Sequence, residues 1–289
     1  MSDTPDPSPS HPTVLITGCS DGGIGSALAA AFHARGFHVF ATARSVSKMT
    51  HLEALTHKTL FELDVESQSS IEAAVKVVAG HGKATSGNPK LNCLVNNAGL
   101  NLNCPALDSD LDYARRMFDV NFWGMVHVTH AFMPLLIESE GTVVNISSMA
   151  GVLNVPWSSF YNASKAAMRM YSETLRVELA PLNVNVVTVM TGVVDTKIFA
   201  NAPHDALPET SHYKAAGPQI AERARGAAQD VLAMPADVFA RRVVDDVLRG
   251  RRGMTWRGNL ASFAWFLHSW FPTWLADRAF ALGTGLEKI

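Results

Sequence analysis

An apolar run, Val14-Leu15-Ile16, leads directly into Thr17-Gly18-Cys19-Ser20-Asp21-Gly22-Gly23-Ile24-Gly25, and an alanine-rich segment from Ser26 to Arg35 follows. Read in order, these are a short buried strand, a glycine loop and a helix. No other stretch of the chain narrows its fold as much. This is the arrangement by which open α/β sheets offer the free N–H groups of a helix N-terminus to a phosphate. Glycine permits the tight turn and the close approach of backbone to a pyrophosphate. A plain flexible turn would use the same residues, so the loop needs support from elsewhere.

That support comes from the ends of later strands. Leu91-Asn92-Cys93-Leu94-Val95 runs into Asn96-Asn97-Ala98-Gly99, and Asp119-Val120-Asn121 opens a long apolar segment. Val143-Val144-Asn145-Ile146 delivers Ser147 and Ser148 at its end. Ligands of open α/β sheets lie outside the carboxyl ends of the strands, where these small and polar residues fall. Strand alternation sends the two serine hydroxyls to opposite faces, so only one of them can serve a site there. Asn145 reads as a strand residue satisfied by backbone. Tyr161 and Lys165 are four residues apart and share a helix face. A tyrosine of pKa about 10 is a poor acid near neutrality, and a fixed lysine charge favours its phenolate.

Strand-like and helix-like segments alternate without a linker from Thr13 onward, which predicts one catalytic domain over 13–257 within a chain of 289 residues. The lead, 1–12, is rich in Pro, Ser and Asp and is expected to be disordered. Residues 258–289 form an aromatic C-terminal extension. With 24 basic and 26 acidic residues the net charge is −2, which gives no footing for a nucleic-acid partner. Cys19, Cys93 and Cys104 lack metal-ligand spacing and suit a reducing compartment. The eleven histidines form no HExxH or HxxxH pattern, so no metal site is expected. Gly80 to Lys90 reads as a solvated loop.

Glycine loop, NNAG, Asn121, Ser148 and the YxxxK pair occur in the order and spacing of the short-chain dehydrogenase/reductases, and the chain resembles that family from Thr13 to about Gly192. Two departures stand out. One extra residue precedes Gly23 and Gly25, and Thr191-Gly192 replaces the more usual Pro-Gly. Together with the aromatic tail they resemble the fungal branch that includes the NADPH-dependent 1-acyldihydroxyacetone phosphate reductases. The resemblance implies a single doubly wound Rossmann-type α/β domain with a mostly parallel seven-stranded sheet. It implies Tyr161 as proton donor, Lys165 as the ribose holder that depresses the tyrosine pKa, and Ser148 as partner of the carbonyl oxygen. Asn121 would support the water that reprotonates Lys165. Gly18, Ser20, Asp21, Gly23, Ile24 and Gly25 would meet the pyrophosphate, and Asp64 and Val65 the adenine. Asn97, Ala98, Gly99, Val194 and Thr196 would complete the cofactor contacts with Tyr161 and Lys165. The second strand, Phe37 to Thr42, is followed by Ala43 and Arg44 where an NAD-binding site has a carboxylate; arginine suits a 2′-phosphate, so NADPH is the expected cofactor.

The connection 197–235, with Pro203, Pro208, Gly217 and Pro218, reads as a substrate loop. Phe199, His204, Tyr213 and Lys214 within it bear on specificity. Lys197, Lys214, Arg223 and Arg225 could meet a phosphate-bearing substrate or form a solvated helix face. From Gly258 to Ala276 there is no charged residue, and Trp265, Trp270 and Trp274 fall in that run. Packing over the substrate mouth, contact with a membrane surface and a spanning helix are the three readings of it. The expected activity is NADPH-dependent reduction of a lipid-like or polyketide-like ketone to a secondary alcohol. The alternatives are NAD(P)+-dependent alcohol oxidation in secondary metabolism and a non-catalytic NADP-binding protein. A homodimer or homotetramer, pairing through Asp119–Ile137 and Trp157–Leu179, is expected. So is a cytoplasmic location, with the endoplasmic reticulum or lipid-droplet surface as a peripheral alternative.

Overall fold

A computed structural model of the chain describes residues 11–203, 206–226 and 232–289. Most of the expected lead and His204 lie outside the described residues. Seven strands form one sheet: β1 (Thr13–Ile16), β2 (His38–Ala43), β3 (Lys58–Glu62), β4 (Cys93–Asn96), β5 (Thr142–Ile146), β6 (Asn185–Thr191) and β7 (Gly253–Arg257). Their order is β3-β2-β1-β4-β5-β6-β7, and every neighbouring pair is parallel.

A parallel sheet must be covered on both faces, and the strand sequences comply: all four residues of β1 and of β4 are buried. Alternation sorts them. Val14 and Ile16 join Phe32 of α1 (Ile24–His33) and Phe239 and Val243 of α7 (Ala236–Leu248) on one face. Leu15 joins Ile71 of α2 (Gln68–Ser86), Phe132 of α4 (Met125–Glu138) and Leu175 of α5 (Ser159–Glu178) on the other. Each fully buried phenylalanine here contributes on the order of 2–3 kcal/mol. The remaining helices are α3 (Leu111–Phe118), α6 (Gly217–Ala224), α8 (Ala261–Trp270) and α9 (Thr273–Ala281). The chain winds outward from β1 to β3 and then returns to place β4 on the other side of β1. At that reversal the connections leave the sheet in opposite directions, which opens a crevice above the strand ends.

Two sequence expectations need correction. Gly80 to Ser86 is not loop but the last two turns of α2, which ends only at Gly87. The glycine at position 82 serves close packing, since a Cβ there would stand 2.9 Å from the Asn88 carbonyl oxygen and 3.0 Å from the Lys90 nitrogen. The spanning reading of 258–276 also fails, because Pro272 separates α8 from α9. A ten-residue helix reaches only about 15 Å, half of a bilayer's hydrocarbon core. α8 turns small residues inward, Ala261 and Ala264 with Leu267, and leaves Trp265, Phe266 and Trp270 exposed. Among the described residues the one helix long and apolar enough to cross a membrane is Leu111–Glu138, and half of its most apolar stretch is buried within the fold.

Candidate active site

The glycine loop is held by the NNAG turn. The Asn97 side chain donates to the carbonyl oxygens of Thr17 (2.9 Å) and Gly18 (3.0 Å). The Thr17 hydroxyl accepts from the backbone nitrogens of Asn97 and Ala98, both at 3.0 Å. A Cβ at Gly18 would stand 2.9 Å from the Ala98 Cα, and one at Gly25 would overlap the Gly18 carbonyl oxygen and the Asn97 amide. These two positions, at either end of the loop, are where backbone runs closest to backbone. The extra residue is absorbed between them. Gly23 precedes α1 as its cap with no side-chain hydrogen bond, so the first N–H groups of that helix face the crevice. Ser20, Asp21 and Ile24 line the same crevice. The Asp21 carboxylate is engaged by the Thr50 hydroxyl and the His51 ring. Cys19 is buried beneath the loop, and burial pushes its thiol up to about 12, so its contribution is its small size.

At the opposite wall, α5 presents Tyr161 in its first turn and Lys165 one turn later on its buried side. The Lys165 ammonium is 5.8 Å from the centre of the Tyr161 ring and donates to the Ile146 carbonyl oxygen at 2.9 Å. Ser148, just past β5, lies within hydrogen-bonding reach of the Tyr161 phenol. Ser147 points the other way, its hydroxyl donating to the Lys165 carbonyl oxygen at 3.2 Å. Asn121 is fully buried in a π-helical turn, Asp119–Gly124, where α3 passes into α4. Its side chain accepts from the Leu100 nitrogen (2.7 Å) and donates to the Leu100 carbonyl oxygen and the Ser164 hydroxyl (both 3.0 Å). A π-turn interrupts the regular bonding of a helix and is common at functional positions.

The electrostatics differ from the expected depression of the tyrosine pKa. Burial pushes the Tyr161 phenol up, with the Ser148 hydrogen bond opposing the rise. Burial likewise lowers Lys165, to about 8. Low dielectric penalises both charged forms, and at this separation the ammonium does not outweigh that cost on the phenol. Asn145 also departs from expectation. Parallel register sets it beside Asn96, whose amide donates to it at 2.8 Å, while its own amide donates to the Ser172 hydroxyl at 2.7 Å. Side chains, not backbone, satisfy it.

All of these walls belong to one crevice of about 1000 Å³. Gly18, Gly23, Asn97, Ala98, Gly99, Val194 and Thr196 line it together with Ser148, Tyr161 and Lys165. So do Asp64 and Val65, and Val65 also packs into the core face that holds Leu15, Ile71 and Phe132. Asn121 stands behind this lining, its Oδ1 3.2 Å from where a Cβ of Gly99 would be. Arg44 and Lys48 bring exposed cations to the rim beyond β2, and Lys197 crosses the loop at Gly22. A glycine cradle, an open helix N-terminus and cations at its edge fit a dinucleotide with anionic phosphates.

The profile of the short chain dehydrogenase family matches residues 12–207. The chain belongs to the short-chain dehydrogenases. A short-chain dehydrogenase of Penicillium ochrochloron, ptmH, is 50% identical over 265 residues, covering 92% of this chain and 95% of that one. The NADPH-dependent 1-acyldihydroxyacetone phosphate reductase of Schizosaccharomyces pombe is 44% identical over 204 residues, 69% of this chain and 67% of its own. Among solved structures, a short-chain dehydrogenase from Streptomyces avermitilis superposes with a TM-score of 0.76 at 28% identity, covering 95% and 96% of the two chains. The protein is thus an oxidoreductase of the fungal branch of this family.

For this short-chain dehydrogenase the motifs name the lining but not what holds it. Thr17 and Ser164 pin the loop and Asn121 through hydrogen bonds that join distant elements. Ser164 lies within the YNASK run, yet nothing in its spacing announces a partner 43 residues away. Of the three readings of the aromatic run, packing over the crevice mouth has support: Phe263, with Phe280 and Leu282 further along the C-terminal extension, lines the crevice and supplies part of its apolar wall.

Proposed function

We propose that this short-chain dehydrogenase reduces a ketone to a secondary alcohol with NADPH, on a lipid-like or polyketide-like substrate. The observation that carries the reading is the meeting of the Ser148 hydroxyl, the Tyr161 phenol and the Lys165 ammonium within the crevice that the glycine loop also lines. NADPH, when bound, supplies a hydride. Tyr161 holds the proton that a ketone oxygen must receive, and its raised pKa keeps that proton on the phenol at neutral pH. Ser148 adds a second hydroxyl donor for the oxygen as negative charge develops on it. Lys165, anchored on the Ile146 carbonyl oxygen, brings a positive charge that favours proton loss from the phenol as the carbonyl oxygen takes it. Arg44 beyond the apolar end of β2 supports NADPH over NADH, as does the NADPH dependence named for the fission-yeast relative. The apolar wall of Val155, Phe263, Phe280 and Leu282 supports a hydrophobic ketone.

The test is loss of NADPH absorbance with a panel of hydrophobic ketones, for the wild type and for Tyr161→Phe. The wild type should turn over at least one ketone, and removing the phenolic proton should slow it by about 10²–10⁴-fold. Undiminished turnover by the phenylalanine variant would remove Tyr161 from the mechanism.

A further inference from the structure

The four cations of the 197–235 connection have separate fates. Lys214 pairs with Glu209, and Lys197 crosses the glycine loop at Gly22. Arg225 is exposed and lines a second cavity, of about 530 Å³, below α6. Arg223, two residues earlier on α6, is only partly exposed and faces the main crevice. Among the described residues no carboxylate pairs with it. Burial lowers its pKa, as desolvation penalises the charged form. A desolvated guanidinium facing a cavity without a partner is expensive unless something that enters the cavity pairs with it.

The setting says which part of the crevice this is. The end of α6 is pinned over the site, where a Cβ on Gly226 would stand 3.0 Å from the Phe199 ring, a crevice-lining side chain. α6 is also tied to the tail. Ile220 packs with Trp157, whose indole donates to the Thr284 carbonyl oxygen at 2.9 Å. The cation therefore belongs to the same cover as the apolar Phe280 and Leu282. The groups suited to a dinucleotide's phosphates, the N-terminus of α1 with Arg44, Lys48 and Lys197, lie on the glycine-loop side. We propose that Arg223 binds an acidic group, phosphate or carboxylate, on the substrate, whose hydrophobic body rests on the wall made by the C-terminal helices. The substrate class is then an anionic amphiphilic ketone. This rests on the ketone-reductase reading above.

Two matched pairs of probes test it: a long-chain γ-keto acid against its methyl ester, and a long-chain α-ketol phosphate monoester against the free ketol. The wild type should prefer one acidic member over its neutral partner by about 10–100-fold in kcat/KM, the range of a charge-assisted arginine–oxyanion contact. Which pair shows the preference distinguishes carboxylate from phosphate. Arg223→Met should bring that ratio close to one, mainly through KM, and Arg223→Lys should restore part of it. Arg225→Met, just past the end of the same helix, should keep the wild-type ratio. NADPH affinity, read from quenching of protein fluorescence, should be unchanged in Arg223→Met. A wild type without preference in either pair, or a ratio insensitive to Arg223→Met, overturns the proposal, and so does a ten-fold loss of NADPH affinity. Activity that survives Tyr161→Phe would instead sink the reductase reading, so the two failures are told apart.

Discussion

Gly25→Ala perturbs the glycine loop at its tightest point. In an ordinary helix this change would stabilise by about 1 kcal/mol, because alanine is the better helix former. Here the new methyl would overlap the Gly18 carbonyl oxygen and the Asn97 Nδ2 and stand 3.0 Å from the Gly18 carbonyl carbon. Two of these three atoms are backbone and cannot swing aside. If the Asn97 amide moves, its hydrogen bonds to Thr17 and Gly18 are lost, about 1 kcal/mol each. Overpacking adds roughly 1–3 kcal/mol. The balance is a net loss of about 2–4 kcal/mol, or a Tm lower by about 5–10 °C for a domain of this size. Gly23→Ala is the control. Its φ is −102°, and an added Cβ meets only the Ser20 carbonyl oxygen, at 3.1 Å, so the smaller loss of alanine at an N-cap, about 1 kcal/mol, is expected. Thermal unfolding of the two variants by circular dichroism decides between them. If Gly25→Ala unfolds with the wild type, or if Gly23→Ala is the more damaging, the account of how this loop is held is wrong.

Two further predictions concern protons. Lys165, lowered to about 8 by burial, carries its charge below that pH and loses it above. NADPH-dependent turnover should therefore fall as pH rises through about 8, and the rate–pH profile measures it. Because the unfolded lysine keeps its proton up to about 10.5, the unfolded state binds more protons between about 8 and 10.5. Stability should rise with pH across that window, and Lys165→Met should abolish the rise in urea titrations. His38 is lowered to about 4 by burial and by the nearby His81, His57 and His11. It is held neutral in the fold, so its contribution is fully present above about 6.5 and is lost as pH falls toward 4. Solvent reaches part of the ring, so the effect is discounted to about 1–2 kcal/mol. His38→Phe should flatten the acid limb of a stability–pH curve, and an unchanged limb would exclude His38 as its source.

Much of this protein is legible in its residues because the signals are local. Val14 to Ile16 alternate between two helix layers, and the glycine loop that follows is told from a plain turn by a few short motifs at the ends of later strands. Tyr161 and Lys165 share a helix face by their spacing alone. Gly82 misled for the opposite reason: glycine allows both a flexible turn and a close contact, and only the returning chain at Asn88 to Lys90 decides which. Asn145 misled similarly, since its partners Asn96 and Ser172 arrive from another strand and a helix.

The sequence alone determined the α/β alternation and brought the glycine loop, the NNAG turn, Ser148, Tyr161 and Lys165 to the strand ends and one helix face, because these follow from periodicity and from motifs a few residues long; the seven-stranded sheet was implied by the family resemblance those motifs carry. Tertiary structure decided the rest. It set burial against charge at Tyr161 and Lys165, turned the aromatic extension into a wall of the crevice, and left Arg223 facing that cavity while its neighbour Arg225 faces another. Desolvation and partner choice depend on which remote surfaces meet, and no window along the chain contains that information.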